Sequence, residues 1–137
     1  MAVLAGTVAG VTVSQLNKNT DKANYTQTSK IATSISGIIL ENPDEYIETV
    51  GDADVFKADK IAALISEVTT EFSGKDITNT KSPAKEKFGV YLSADKTQIV
   101  VVFGAKTNNY KSKGYSINVQ GAAQEINTLP EAVATGK

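Results

Sequence analysis

The chain has 137 residues, a net charge of -1 and 41% hydrophobic residues, the balance of an ordinary globular fold with one modest core, neither a disordered acidic chain nor a polyanion binder. It contains no His, Cys or Trp, and all 14 basic residues are lysine. These absences exclude Ser-His-Asp and Cys-His nucleophile pairs, thiolate zinc sites, disulfides and the bidentate guanidinium fork. No enzyme, cofactor or metal is therefore expected, and the slightly negative field argues against nucleic acid as a partner.

Val3 to Leu40 reads as one long helix in two halves. Leu4, Val8 and Val11 make an apolar stripe at i, i+4, i+7, and Ile31, Ile35, Ile38 and Ile39 repeat it. Between them Asn17 to Lys30 is almost wholly polar, and the reading leaves that run unburied. Such a rod, about 57 Å at 1.5 Å per residue, has to project from its domain. Proline stops it at Asn42-Pro43.

From there Asn42, Pro43 and Glu45 spell a capping box for a short helical turn running to Gly51. Asp54 is expected to cap a second amphipathic helix over residues 54–73, with Ala58, Ile61, Ile65, Val68 and Phe72 on one face and Gly74 as its stop. Lys75 to Glu86 reads as a polar loop.

The periodicity then changes. Lys87 to Ser93, Thr97 to Ala105 and Gly114 to Gln120 are β-branched or aromatic runs with turn-like separators. Ile99 to Phe103 is apolar without alternation, as in a strand buried on both faces, whereas Ile117 and Val119 alternate with Ser116, Asn118 and Gln120 as in a strand wet on one side. Short connections predict an antiparallel meander. The tail after Gly121 is read as a helical turn before Pro130, then a fray. The fold class is α+β: a long N-terminal helix packed on an antiparallel sheet of at least three strands, as one domain of residues 1–137 divided into helix (1–41), connecting segment (42–86) and sheet with tail (87–137).

The run VLAGTVAGV (residues 3–11), followed by the amphipathic stretch NKNTDKA (17–23) through KIA (30–32), resembles the N-terminal helix of type IV pilins and pseudopilins, and the order of elements after it is similar to theirs. Gly10 falls where that family commonly has a kinking proline. The family's cleaved glycine, following aromatic residue and glutamate are absent, as expected of a chain that starts inside the apolar segment with Met1 as an artificial start. The C-terminal disulfide of many pilins is also absent.

The resemblance implies a non-catalytic subunit of an extracellular filament on the bacterial cell surface, either a type IV pilus or a related pseudopilus. Before assembly it implies a precursor held in the inner or cytoplasmic membrane by the missing N-terminal segment. The implied partners are identical subunits, an assembly platform in the membrane and a cytoplasmic ATPase. Leu4, Val8 and Val11 would pack helix on helix along the fibre axis, and Gly6 and Gly10 would be flexible points in that helix.

A second reading takes Lys106, Lys111 and Lys113 with Tyr110 and Tyr115 as a ligand loop of a surface-displayed binding module, an adhesin or DNA-binding minor pilin, because stacking plus lysine charge grips single strands. Against it stands the solvated hairpin tip, the commoner meaning of such a loop. Asp52, Asp54 and Asp59 lack the spacing of a calcium loop. Leu129-Pro130-Glu131-Ala132-Val133 lacks the threonine-glycine pair of a sortase signal, and the sequon at Asn24-Tyr25-Thr26 is read as chance.

Overall fold

The computed structural model describes residues 13–72, 75–85, 87–107, 110 and 113–132. Helix α1 (Val13–Glu41) leads into a one-turn helix α2 (Pro43–Tyr46). A hairpin of β1 (Ile47–Val50) and β2 (Ala53–Phe56) follows, then a 3-10 turn (Ala58–Lys60) and α3 (Ile61–Glu71). The remaining strands are β3 (Ile77–Thr78), β4 (Phe88–Leu92), β5 (Gln98–Phe103), β6 (Gly114–Asn118) and β7 (Ala123–Ile126). They form one five-stranded sheet in the order β3-β4-β5-β6-β7. The α+β class and the long helix on a sheet are as expected. The sheet is mixed, because β3 pairs parallel to β4 while β4 to β7 form the antiparallel meander.

Five local readings are corrected. Asn42 stands at the N-cap of α2 with Pro43 as its first residue, as read, and its carbonyl accepts from the Glu45 NH at 3.1 Å, but its side chain makes no capping bond, so the box does not form. Its backbone NH continues the α1 ladder to the Ile38 carbonyl at 3.1 Å, so the residue closes one helix as it opens the next. Asp54 does not cap a helix 54–73. It lies in β2 opposite Thr49, whose hydroxyl donates to it at 2.8 Å. Gly51, at φ 65°, supplies the positive φ that a two-residue hairpin loop requires, and β-branched Ile47, Thr49, Val50 and Val55 favour pairing over coil. The helix therefore starts only at Ile61, burying Ile61, Leu64, Ile65 and Val68 while Ala58 is exposed; Gly74 lies outside the described residues.

The segment read as a loop carries β3, since Ile77 is buried at the sheet edge and the Phe88 NH donates to the Asp76 carbonyl at 2.8 Å. The tail does not form a helical turn but supplies β7, and then crosses the back of the sheet. The Tyr91 hydroxyl donates to the Pro130 carbonyl (2.8 Å), the Ala94 NH to the Glu131 carbonyl (2.8 Å), and Ser93 bridges Ala132. That crossing is also why β6 is not wet on one side. Ser116 stands opposite Val100 in the register, on the face where Tyr91, Val100 and Val102 are covered by Ile126 and Leu129, and it is buried.

The core lies between the sheet's front face and two helices. Phe88, Val90, Leu92, Ile99, Val101, Phe103 and Ile117 meet Ile31, Ala32, Ile35, Ile38 and Ile39 of α1 and the buried stripe of α3. β5 is buried on both faces, as its unbroken apolar run predicts. The β4–β5 turn is closed by Asp95, whose Oδ1 accepts from the hydroxyls of Ser93 (2.8 Å) and Thr97 (2.7 Å) and from the Thr97 NH (3.1 Å). Those bonds hold its carboxyl below the usual range. Among the described residues no helix is long and apolar enough to cross a membrane.

Candidate functional site

The polar run Asn17 to Lys30 is not a bare rod. Asp21 and Thr28 have no exposed surface at all, so the expectation of an unburied middle is overturned. Positions 21, 25 and 28 continue the spacing of Ile31, Ile35 and Ile38 towards the N-terminus, and they face the sheet like them. Each solves its polarity locally. The Thr28 hydroxyl donates to the Asn24 carbonyl one turn back at 2.8 Å. Asp21 accepts on Oδ1 from the Lys106 NH (2.8 Å), and on Oδ2 from the NH (2.7 Å) and hydroxyl (2.6 Å) of Thr107. A buried carboxyl group taking three donors turns a desolvation cost into an anchor.

Between these two pegs Tyr25 sits in an aromatic cluster. Its ring centroid lies 5.3 Å from those of Tyr110 and Tyr115 and 6.2 Å from that of Phe103, all tilted, within the range of favourable aromatic pairing. Its hydroxyl donates to Glu125 on β7. Burial above all, then the bond to Glu125 and the neighbouring Tyr115, raises the Tyr25 phenol far above its ordinary value. The helix is thereby pinned to β5, to β7 and to the start of the β5–β6 connection.

The loop residues singled out for ligand binding are placed by this cluster. Tyr110 and Tyr115 are half-buried against Tyr25. Lys106 gives its backbone NH to Asp21, and the Lys113 ammonium donates to Asn127 Oδ1 at 3.1 Å. Lys111 lies outside the described residues, as do Leu4, Gly6, Val8, Gly10 and Val11. The first apolar side chain described on α1, Leu16, is 54% exposed. Sequence reasoning missed Asp21, Tyr25 and Thr28 because two of the three are polar, although their spacing was the available signal.

Comparison with known protein families, with curated proteins and with solved structures finds no match for the chain.

Proposed function

We propose that the chain is a structural, non-catalytic subunit of a type IV pilus or related pseudopilus, assembling with identical subunits through its N-terminal helix into a filament on the bacterial surface. One observation carries the reading. The α1 stripe from Asp21 to Ile39 is laid on the chain's own sheet, yet Leu16, five residues before Asp21, stands 54% exposed. Leu16 thus leaves apolar surface of the helix outside what its own head covers, and in the sequence the apolar run Val3 to Val11 precedes it. Apolar surface left uncovered by one copy favours burial against another, at about 25 cal/mol per Å2 removed from water. In a filament the fibre axis supplies that burial, and before assembly a bilayer does.

The test is a charged replacement, Val8→Glu or Val11→Glu, in cells that make the filament. The head should keep its circular dichroism and unfolding midpoint while filaments disappear. Normal filaments from either variant would count against the reading.

A further inference from the structure

Charge and shape divide unevenly between the two ends of the sheet. The β1–β2 hairpin stands at the end marked by the β4–β5 turn, where the Phe56 NH donates to the Lys96 carbonyl at 2.8 Å. Its exposed residues are Glu48, Thr49, Val50, Gly51, Asp52, Ala53 and Asp54, with no basic residue anywhere in the hairpin. At its apex Val50 is 59% exposed. At the far end of β5, six residues and about 20 Å away at the usual strand rise, a groove of about 430 Å3 opens between the 81–85 loop, the end of β5 and the tail. Its lining is apolar along Pro83, Ala84, Val102, Phe103 and Leu129, and among the described residues it carries Lys81 and Lys85 with no acidic side chain.

We propose that this groove receives the β1–β2 hairpin of a second copy of the same chain. Val50 enters the apolar lining, and Glu48, Asp52 and Asp54 meet Lys81 and Lys85. The volume is in the range of pockets that hold a compact ligand and suits the apex of a hairpin. Opposite charges at the rim set orientation and encounter more than strength. Donor and acceptor surfaces lie at opposite ends, so the contact is heterologous and propagates head to tail instead of closing a two-fold dimer. Its setting in a filament rests on the reading proposed above, whereas the contact itself rests only on the groove and the hairpin.

The chain has no cysteine, so single-cysteine variants of the full chain report the contact without background. V50C and A84C chains are mixed in equal amounts and oxidised mildly at low ionic strength. The mixed disulfide should exceed either like pair by about tenfold, as a rim-steered contact of modest free energy gives. The excess should vanish when the A84C chain also carries Lys81→Glu and Lys85→Glu. It should return when the V50C partner carries Glu48→Lys and Asp52→Lys. A statistical mixture of like and unlike dimers overturns the proposal, and so does an excess indifferent to the charge reversals. Statistical cross-linking alongside loss of filaments in Val8→Glu removes this contact and leaves the filament reading; selective cross-linking alongside normal filaments in that variant does the reverse.

Discussion

Asp21 and Thr107 are joined twice through one carboxyl oxygen: Oδ2 accepts both the backbone NH of Thr107 at 2.7 Å and its hydroxyl at 2.6 Å. With the Lys106 NH on Oδ1 at 2.8 Å, a fully buried side chain of the helix fixes the start of the β5–β6 connection. Helix and sheet are thus coupled through a polar anchor at one end and through the isoleucine stripe at the other.

Asp21→Ala should lower stability by about 2–4 kcal/mol, because it leaves two backbone donors and a hydroxyl without their acceptor in a buried place. Asp21→Asn keeps one oxygen and should lose less. Urea midpoints measure the loss, and amide exchange at Lys106 and Thr107 should accelerate ahead of exchange in β5. Unchanged exchange at those two amides would show that the anchor does not hold the connection.

Tyr25 separates the packing and polar parts of the same interface. Tyr25→Phe removes the hydroxyl, with its bond to Glu125 and its polar contact with Tyr115, and should cost about 1 kcal/mol. Tyr25→Ala also removes the ring that Phe103, Tyr110 and Tyr115 lean on, and should cost about 2–4 kcal/mol. A near-equal loss in the two variants, read from denaturant midpoints, would mean that the ring contacts carry little.

How far the fold could be read from the residues depended on whether one apolar pattern dominated a segment. The isoleucine stripe of α1 and the run Ile99 to Phe103 have no competing interpretation, and both stand where expected. Asp54 suits a cap and a hairpin equally well in isolation; pairing with Thr49, a tertiary matter, decided it. The single Ile77 could not announce a strand, because its apolar neighbours come from β4 and not from adjacent positions. The anchor at Asp21 was hidden for a different reason. An aspartate scores as surface until its three donors, 85 and 86 residues away, are known.

Alkaline pH should weaken the fold through its tyrosines. Burial first, then the charges of Glu45 and Glu67 and the bond to Glu67, pushes Tyr46 up to about 12 from its ordinary 10.0. Tyr25 and Tyr91 are raised further, Tyr91 by burial and then by Glu131. The native state therefore keeps protons that the unfolded chain releases above pH 10.0, so these groups stabilise the fold fully below that pH. For Tyr46 the contribution is lost as pH climbs from 10.0 through about 12. Ultraviolet titration of phenolate should show part of the signal from the five tyrosines delayed and released in a step with unfolding. A smooth titration centred near pH 10.0 with an unmoved urea midpoint would contradict the assignment.

Gly121 tests which of two steric effects governs the β6–β7 turn. It sits at φ 82°, a conformation that side chains disfavour, and an added Cβ would come within 2.6 Å of Leu40 Cδ2. Asn118 holds the turn, its Oδ1 accepting from the NH groups of Gln120 (2.9 Å) and Ala122 (3.1 Å), and the Ser36 hydroxyl ties the Gly121 carbonyl to α1. Because these bonds fix the backbone, Gly121→Ala cannot relax its φ and should cost about 1–2 kcal/mol. Leu40 is 60% exposed and can swing away, so its contact should add little. Denaturant midpoints of Gly121→Ala, Gly121→Asn and the double variant Gly121→Ala with Leu40→Ala decide the matter. Asparagine, which tolerates the left-handed region, should restore much of the loss, and truncating Leu40 should restore almost none. The opposite order would place the strain in the side-chain contact.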